Sequence, residues 1–333
     1  MLTVLLLLQA AQPQRPAQLT QFLQQNIGFD AAQLDAVERG AAVVKVLDTR
    51  DRRDVALFGI ITAPRTRESY FRALRDFPTS LRSATRPHFG IFATPAGAAD
   101  VGELTITPRD VAEMKDCKPG DCVAKLPATD MRRIHDETNW SAPAAEVQAQ
   151  LSAYARRRLL EYVTDYRRRG DSAMALYDDR GNVTVRSSEA YAAQFAESPY
   201  IYKTVPSLQK YFADYPSGVL PADASEIIYW SEDVLPRLRP ILSVTHLLVY
   251  TPPELPGMTL AAAKQLYANH YFEAAIDLTS AVDRGQGESI YIVVLRRFRF
   301  DNLPGGILNI RGRAIGALRD QLTADLRRQQ QAQ

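Results

Sequence analysis

Residues 288–300, ESIYIVVLRRFRF, decide the architecture of this chain. The residues alternate with a period of two, which is the repeat of a β-strand, and they are rich in β-branched and aromatic side chains. One face carries Ile290, Ile292, Val294, Phe298 and Phe300. The opposite face carries Tyr291, Val293, Leu295, Arg297 and Arg299. Because these five residues are apolar, another layer of the protein must cover them.

A hairpin is predicted directly before this strand. The connecting segment 282–288 contains Asp283, Gly285 and Gly287, which favour tight turns between antiparallel strands. Upstream, residues 264–279 predict a single partner strand. Its inner face is predicted to hold His270, Phe272, Ala274, Ile276 and Leu278. Glu273 and Asp277 lie on the other face, which we expect to be the outer one, where they can meet arginines across the hairpin.

A long amphipathic helix is predicted at the end of the sequence. Its apolar residues recur at three- and four-residue spacing and form one stripe, made of Ile307, Ile310, Ala314, Ile315, Leu318, Leu322 and Leu326. Two further strands, residues 226–230 and 240–250, precede the hairpin. The sequence therefore predicts an α+β fold in which an antiparallel sheet packs against the C-terminal helix.

The first half of the chain adds two strands and a helical region. Residues 43–47 and 55–61 predict strands, whereas residues 107–212 are mostly helical, with a long helix that ends at Gly170. We therefore divide the chain into four parts. They are a signal peptide with a polar linker (1–16), N-terminal helices with the first strands (17–104), a helical insertion (105–220), and the remaining strands with the C-terminal helix (221–330).

Two cysteines enclose a turn. Cys117 and Cys122 flank the tetrapeptide KPGD, and its proline and glycine favour a tight turn that brings the thiols together. In an oxidising compartment such a pair forms a disulfide. A redox-active pair, half of a metal site and two free thiols are the alternatives. A disulfide this short would stabilise local shape more than the whole fold.

The N-terminus predicts export. Residues 2–8 form an apolar run followed by small and polar residues, which is the order of a secretory signal peptide, although no basic residue precedes the run. An N-terminal helix of the folded protein is the alternative. The run is far shorter than the roughly 20 residues that span a bilayer. We expect a periplasmic or extracellular protein.

Composition and motifs argue against several functions. The chain has 333 residues, 46 % of them apolar, which is ample for a sizeable core, and its net charge of +2 gives no overall attraction to nucleic acid. The sequence lacks Gly-x-Ser-x-Gly, Gly-x-x-x-x-Gly-Lys and His-Glu-x-x-His, so we expect no cofactor and no metal. Two arginine clusters, 156–158 and 167–169, either contact an anionic membrane or pair with acids along one helix.

Residues 58–64, FGIITAP, lead into residues 71–76, FRALRD. This strand, Ala-Pro step and helix resemble the opening of domains in the START-like lipid-transfer, or helix-grip, superfamily. There an early strand leads to short helices, an antiparallel sheet follows, and a long C-terminal helix closes a cavity. The resemblance covers about residues 40–80 and 225–328, and the helical segment 105–215 would be an insertion. It implies a cavity for an apolar ligand between the sheet and the last helix.

Two sets of candidate site residues follow. For a hydrophobic small molecule or lipid held between sheet and helix, the candidates are His270, Phe272, Ile276, Phe298, Ile310 and Leu318. For an enzyme they are His246, His270 and Glu273, because histidine titrates near neutral pH and ligates metals. The simpler interpretation of each histidine is a buried ring bonded to a carbonyl or hydroxyl group. We expect a non-catalytic binding protein, and a structural protein of the cell envelope is the third possibility.

Overall fold

The computed structural model describes residues 15–234, 238–302 and 310–331. The export prediction from residues 2–8 and the predicted helical position of Ile307 lie outside the described residues. The strands are β1 (Val43–Leu47), β2 (Asp54–Ala63), β3 (His88–Ile91), β4 (Leu176–Tyr177), β5 (Val185–Arg186), β6 (Ser225–Asp233), β7 (Ile241–Tyr250), β8 (Met258–Ala268), β9 (Phe272–Arg284) and β10 (Ser289–Phe300). The α-helices are α1 (Ala17–Gln25), α2 (Ala31–Glu38), α3 (Arg67–Arg75), α4 (Phe77–Leu81), α5 (Pro108–Met114), α6 (Ala128–Glu137), α7 (Ala144–Arg169), α8 (Ser187–Ala196), α9 (Pro199–Tyr202), α10 (Pro206–Asp214) and α11 (Ile310–Gln331).

One antiparallel sheet has the strand order β1-β2-β10-β9-β8-β7-β6-β3. The early strand β2 and the last strand β10 are direct neighbours, with Ile290 opposite Ala63. The hairpin predicted at residues 282–288 is confirmed, since Ser289 pairs with Arg284 across it. The helix α11 packs against β1 and β2. The predicted α+β architecture, with a helical middle region, is therefore confirmed.

The single strand predicted over residues 264–279 is wrong. This segment holds the end of β8 and the start of β9, which pair with each other. Between them Tyr271 has a φ of 63°, a left-handed conformation that interrupts a strand. The turn is held from outside, because Asn269 donates its backbone N–H to Leu242 and Asp301 donates its backbone N–H to Tyr271. The local pattern could not indicate the turn, since these partners are distant in sequence.

Both faces of the sheet are covered. Under α11 and α3 the core includes Val55, Leu57, Ile61, Tyr70, Phe272, Ile292, Val294, Leu322 and Leu326. On the other face, under α1, α2 and the insertion helices, the core includes Leu19, Phe58, Ile60, Val163, Tyr166, Leu208, Tyr250, Leu278 and Leu295. All ten residues of β2 are buried as a result.

The face predicted to be the outer one is therefore interior. Arg297 on that face is 1 % exposed and donates to Ser198 of the insertion. Asp277 does meet an arginine across the hairpin, but this partner is Arg296 and the pair lies on the α11 face. Glu273 instead pairs with Arg53, which precedes β2.

The predicted end of the long helix at Gly170 is confirmed. Gly170 follows α7 with a φ of 58°, and a Cβ at this position would lie 2.1 Å from the backbone oxygen of Tyr215. Only glycine meets both conditions without strain. The turn after α7 thus brings the chain against the insertion segment that contains Tyr215.

A second close approach joins the sheet to α11, and it can be tested. A Cβ at Gly59 in β2 would lie 2.8 Å from Leu326 Cδ1 and 3.1 Å from Leu322 Cδ2. We expect Gly59→Val to push α11 off the sheet and to lower the free energy of unfolding by about 1–3 kcal/mol, the usual cost of overpacking. Urea denaturation measures this change.

The matched control is Gly97→Ala, because a Cβ at Gly97 meets no atom within 4 Å. It should change stability by less than about 0.5 kcal/mol. Equal stability of the Gly59→Val variant and the wild type would show that α11 does not pack this closely.

Candidate functional site

A cleft of about 430 Å³ lies between the sheet and α11, and we call it the α11 cleft. Strands β7, β8, β9 and β10 form its floor, and α3, α4 and α11 contribute to its walls. Three small residues of the floor, Ala261, Ala263 and Ala275, leave space that larger side chains would fill. The volume is within the range of small-molecule sites in proteins.

One side of the α11 cleft is apolar. Phe272 and Phe298 stand next to each other on β9 and β10, with ring centroids 5.4 Å apart. Leu318 of α11 and Leu81 of α4 also line the space. An apolar body of modest size would be covered by these side chains.

The other lining groups are polar or charged. Arg296 donates to Asp277 at 2.7 Å and to Asp325 of α11 at 2.7 Å, so it ties the floor to the helix. Burial acts to lower the pKa of Arg296, but the two carboxylates outweigh it and the pKa is raised. Gln265 also lines the cleft, and its buried Oε1 accepts no hydrogen bond from the described residues. The lining of the cleft therefore combines an ion-pair network and an amide side chain with an apolar wall.

The six ligand candidates from the sequence fall in different places. Phe272, Ile276, Phe298 and Leu318 all line the α11 cleft. Ile276 does so although its side chain belongs to the core on the opposite face. Ile310 is 39 % exposed at the start of α11, and His270 lines another cavity, of about 410 Å³, beside the cysteine loop. Four of the six candidates therefore line one cleft, and three of them also pack their side chains on the α11 face.

His246 is completely buried between β7 and the insertion helices. Its Nδ1 lies 3.0 Å from the hydroxyl of Tyr166, and its Nε2 lies 3.2 Å from Glu226 Oε2. This fits a neutral ring that accepts from Tyr166 and donates to Glu226. Burial lowers the pKa of His246, although Glu226 opposes the change. Burial acts to raise the pKa of Glu226, but hydrogen bonds from His246 and Tyr211 outweigh it and the pKa is lowered.

His270 and Glu273 have separate surroundings. His270 lies in the turn between β8 and β9, with Nε2 3.2 Å from Asp110 Oδ1 and Nδ1 3.2 Å from the backbone oxygen of Val123. Glu273 is bound by Arg53 at 3.1 Å, and burial raises the pKa of its carboxyl group. Neither side chain shares a hydrogen-bond partner with His246. The structure does not assemble the three residues into one site.

Sequence reasoning missed Lys264, which is the cross-strand neighbour of His246. This lysine is fully buried, forms an ion pair with Asp171, and places its Nζ 4.3 Å from the ring centroid of Tyr191. Burial lowers the pKa of Lys264 despite Asp171. Its position within the apolar run of β8 was the available signal, since a lysine in a buried strand requires a partner.

The cysteine pair is bonded. Cys117 and Cys122 are joined by a disulfide, as predicted. Its loop packs on the segment between β4 and β5, where Gly120 donates its backbone N–H to Asp178 and Cys122 donates to Asp179. The loop is thus held against another part of the insertion, the β4–β5 segment. It lies beside the cavity that His270 lines.

Members of both arginine clusters of α7 pair with acids, on α7 itself and on α6. Arg168 and Arg169 both donate to Asp165, at 2.7 and 2.8 Å, and Arg158 donates to Asp130 at 3.0 Å. No helix within residues 15–234, 238–302 and 310–331 has the length and apolarity needed to cross a membrane. In the same ranges, no group of three or more histidine, cysteine or acidic side chains is arranged to hold a metal ion.

Comparison with known proteins found no counterpart. No family model, no curated protein and no solved structure matches the chain significantly.

The buried His246 gives the folding equilibrium a pH dependence that can be measured. Its pKa is lower in the folded chain than the ordinary 6.5, so the unfolded chain binds more protons just below that pH. The contribution to stability is complete above about pH 6.5 and is lost as the pH falls toward the folded pKa. We expect His246→Gln to lose less free energy of unfolding than the wild type when the pH falls from about 7.5 to 5.5.

His135→Gln is the control, because His135 is largely exposed on α6. This variant should retain the wild-type dependence on pH. Identical pH profiles for His246→Gln and the wild type would contradict the assignment of a neutral, buried His246.

Proposed function

We propose that this protein is a non-catalytic binding protein that holds a hydrophobic small molecule or lipid in the α11 cleft. The observation that carries the proposal is the cleft itself, which lies between the sheet and α11 and is lined by Phe272, Phe298 and Leu318. A concave space of about 430 Å³ beside two aromatic rings has the size and the lining of a small-molecule site.

The lining also indicates what kind of molecule fits. The aromatic and aliphatic wall suits an apolar body, whereas Gln265 presents an acceptor without a partner. A ligand that donates a hydrogen bond to Gln265 Oε1, after a rotation of the amide that exposes this oxygen to the cleft, would satisfy it. The proposed ligand is thus mainly apolar and has at least one polar hydrogen.

The order of the elements supports a relationship to the START-like superfamily. The early strand β2 leads to the short helices α3 and α4, an antiparallel sheet follows, and α11 packs on that sheet. The cleft occupies the position at which the superfamily resemblance implies a cavity. We therefore propose a START-like domain whose opposite sheet face is covered by an inserted helical region.

A variant that fills the cleft tests the function. Ala263 lies on the cleft floor, so Ala263→Trp should occupy the space of the ligand. Native mass spectrometry of protein purified from its own host should show a bound molecule on the wild type. We expect the bound fraction to fall at least about tenfold in Ala263→Trp.

Val46→Trp is the matched control, because it adds the same side chain at an exposed position of β1. It should retain the bound molecule at the wild-type level. Retention by the folded Ala263→Trp variant as well would rule out the α11 cleft as the site.

We also propose that the protein is exported. A bonded cysteine pair supports this, because disulfides persist in oxidising compartments and are rare in the cytosol. Fractionation of host cells should recover the protein from the periplasm or the medium, with both thiols resistant to alkylation before reduction. Recovery from the cytosol with two reactive thiols would contradict export.

A further inference from the structure

A second cavity lies on the opposite face of the same sheet. It measures about 480 Å³ and opens between α1, the end of α9 and the segment before β8, and we call it the α1 cavity. The two spaces are separated by the sheet itself. Thr279 of β9 lines the α11 cleft, whereas the next residue, Ser280, lines the α1 cavity. Successive residues of a strand point to opposite faces, so the two spaces are independent.

The wall of the α1 cavity is made of apolar side chains from distant parts of the chain. Phe22 comes from α1, Phe58 from β2, Val205 from the insertion, and Leu278 and Leu295 from β9 and β10. Phe58 is 1 % exposed and Leu295 is 6 % exposed, so the floor is interior rather than surface. An apolar space of this size among buried side chains leaves dispersion contacts unmade, which an apolar guest would restore.

One polar side chain on the floor of the cavity indicates a specific ligand contact. Ser280 is 8 % exposed as a residue, and its hydroxyl has no hydrogen-bond partner among the residues of the structure that are described. The hydroxyl can both donate and accept a hydrogen bond. A ligand in the cavity that carries a polar group can therefore bond to Ser280.

The charges at the cavity select against anions. Its described lining includes the carboxylates of Glu254 and Asp283 and contains no lysine, arginine or histidine. Glu254 accepts from the Ser207 hydroxyl and backbone N–H, whereas Asp283 is paired with Arg67. An anionic headgroup at this mouth would meet like charge without a cation in the lining to bind it. A neutral headgroup meets no such penalty.

We propose that the α1 cavity binds an uncharged, mainly aliphatic molecule whose hydroxyl or similar polar group bonds to Ser280. This site is distinct from the α11 cleft and does not depend on the function proposed for that cleft. It gives the protein two ligand spaces, one on each face of a shared sheet.

The test uses two probes that differ in headgroup charge, 1-dodecanol and dodecanoate. Each displaces the neutral fluorophore N-phenyl-1-naphthylamine from the purified full-length protein at about pH 8, where the carboxylate is ionised. We expect 1-dodecanol to bind about tenfold more tightly than dodecanoate. Equal or tighter binding of dodecanoate would overturn the proposal.

Four variants locate the binding. Leu278→Trp fills the α1 cavity and should lower the affinity for 1-dodecanol about tenfold. Ala263→Trp fills the α11 cleft and should leave the affinity for 1-dodecanol unchanged. Ser280→Ala should lower the affinity for 1-dodecanol severalfold. Thr279→Ala, one residue away on the other face, should leave this affinity unchanged.

The outcomes separate the two sites. If Ala263→Trp alone lost 1-dodecanol binding, the probe would bind in the α11 cleft. That result would overturn the proposal for the α1 cavity. If circular dichroism shows that Leu278→Trp does not fold, Val282→Trp fills the cavity from its partly buried edge. Wild-type affinity in both Ser280→Ala and the folded tryptophan variant would also overturn the proposal.

Discussion

The pairing of β2 with β10 is the constraint on which the rest of the structure depends. It joins Asp54 at the beginning of the first long strand to Arg299 near the end of the last one, and Arg299 also donates to the Asp54 carboxylate at 2.8 Å. Closing so long a loop costs chain entropy, which the burial of both strands must offset. Once this pair forms, α11 can lie across β2, and the insertion is held against the opposite face. Both proposed ligand spaces exist only because these layers meet the sheet.

Covering both faces of the sheet explains several side chains that resemble catalytic groups. Lys264, His246 and Arg297 all point from central strands into the interior under the insertion, and each has a described partner. Removing one of these partners would leave a buried polar or charged group unsatisfied, so these contacts specify how the insertion docks. These side chains join the insertion to the sheet, and the two spaces proposed for ligands lie elsewhere.

The two spaces share strands but differ in chemistry. The α11 cleft combines aromatic rings with Arg296 and an unpartnered acceptor at Gln265. The α1 cavity has an apolar wall with the hydroxyl of Ser280 on its floor. Since neighbouring residues of β9 face opposite sides, a change to one wall can leave the other intact. The two proposed ligand sites therefore use different side chains.

Local patterns in the sequence were enough to determine the alternation along β10, the β9–β10 hairpin, the apolar stripe that α11 presents at Leu322 and Leu326, and the end of α7 at Gly170. These features depend on neighbours within a few residues, and the cysteine loop does so too. The turn at Tyr271, the burial of the second sheet face and the partners of Lys264 were decided only by tertiary structure. Each depends on groups far away in the chain, such as Leu242, Asp301 and Asp171. The α1 cavity belongs to the same class, because its wall comes from α1, the insertion and four strands that meet only in the folded protein.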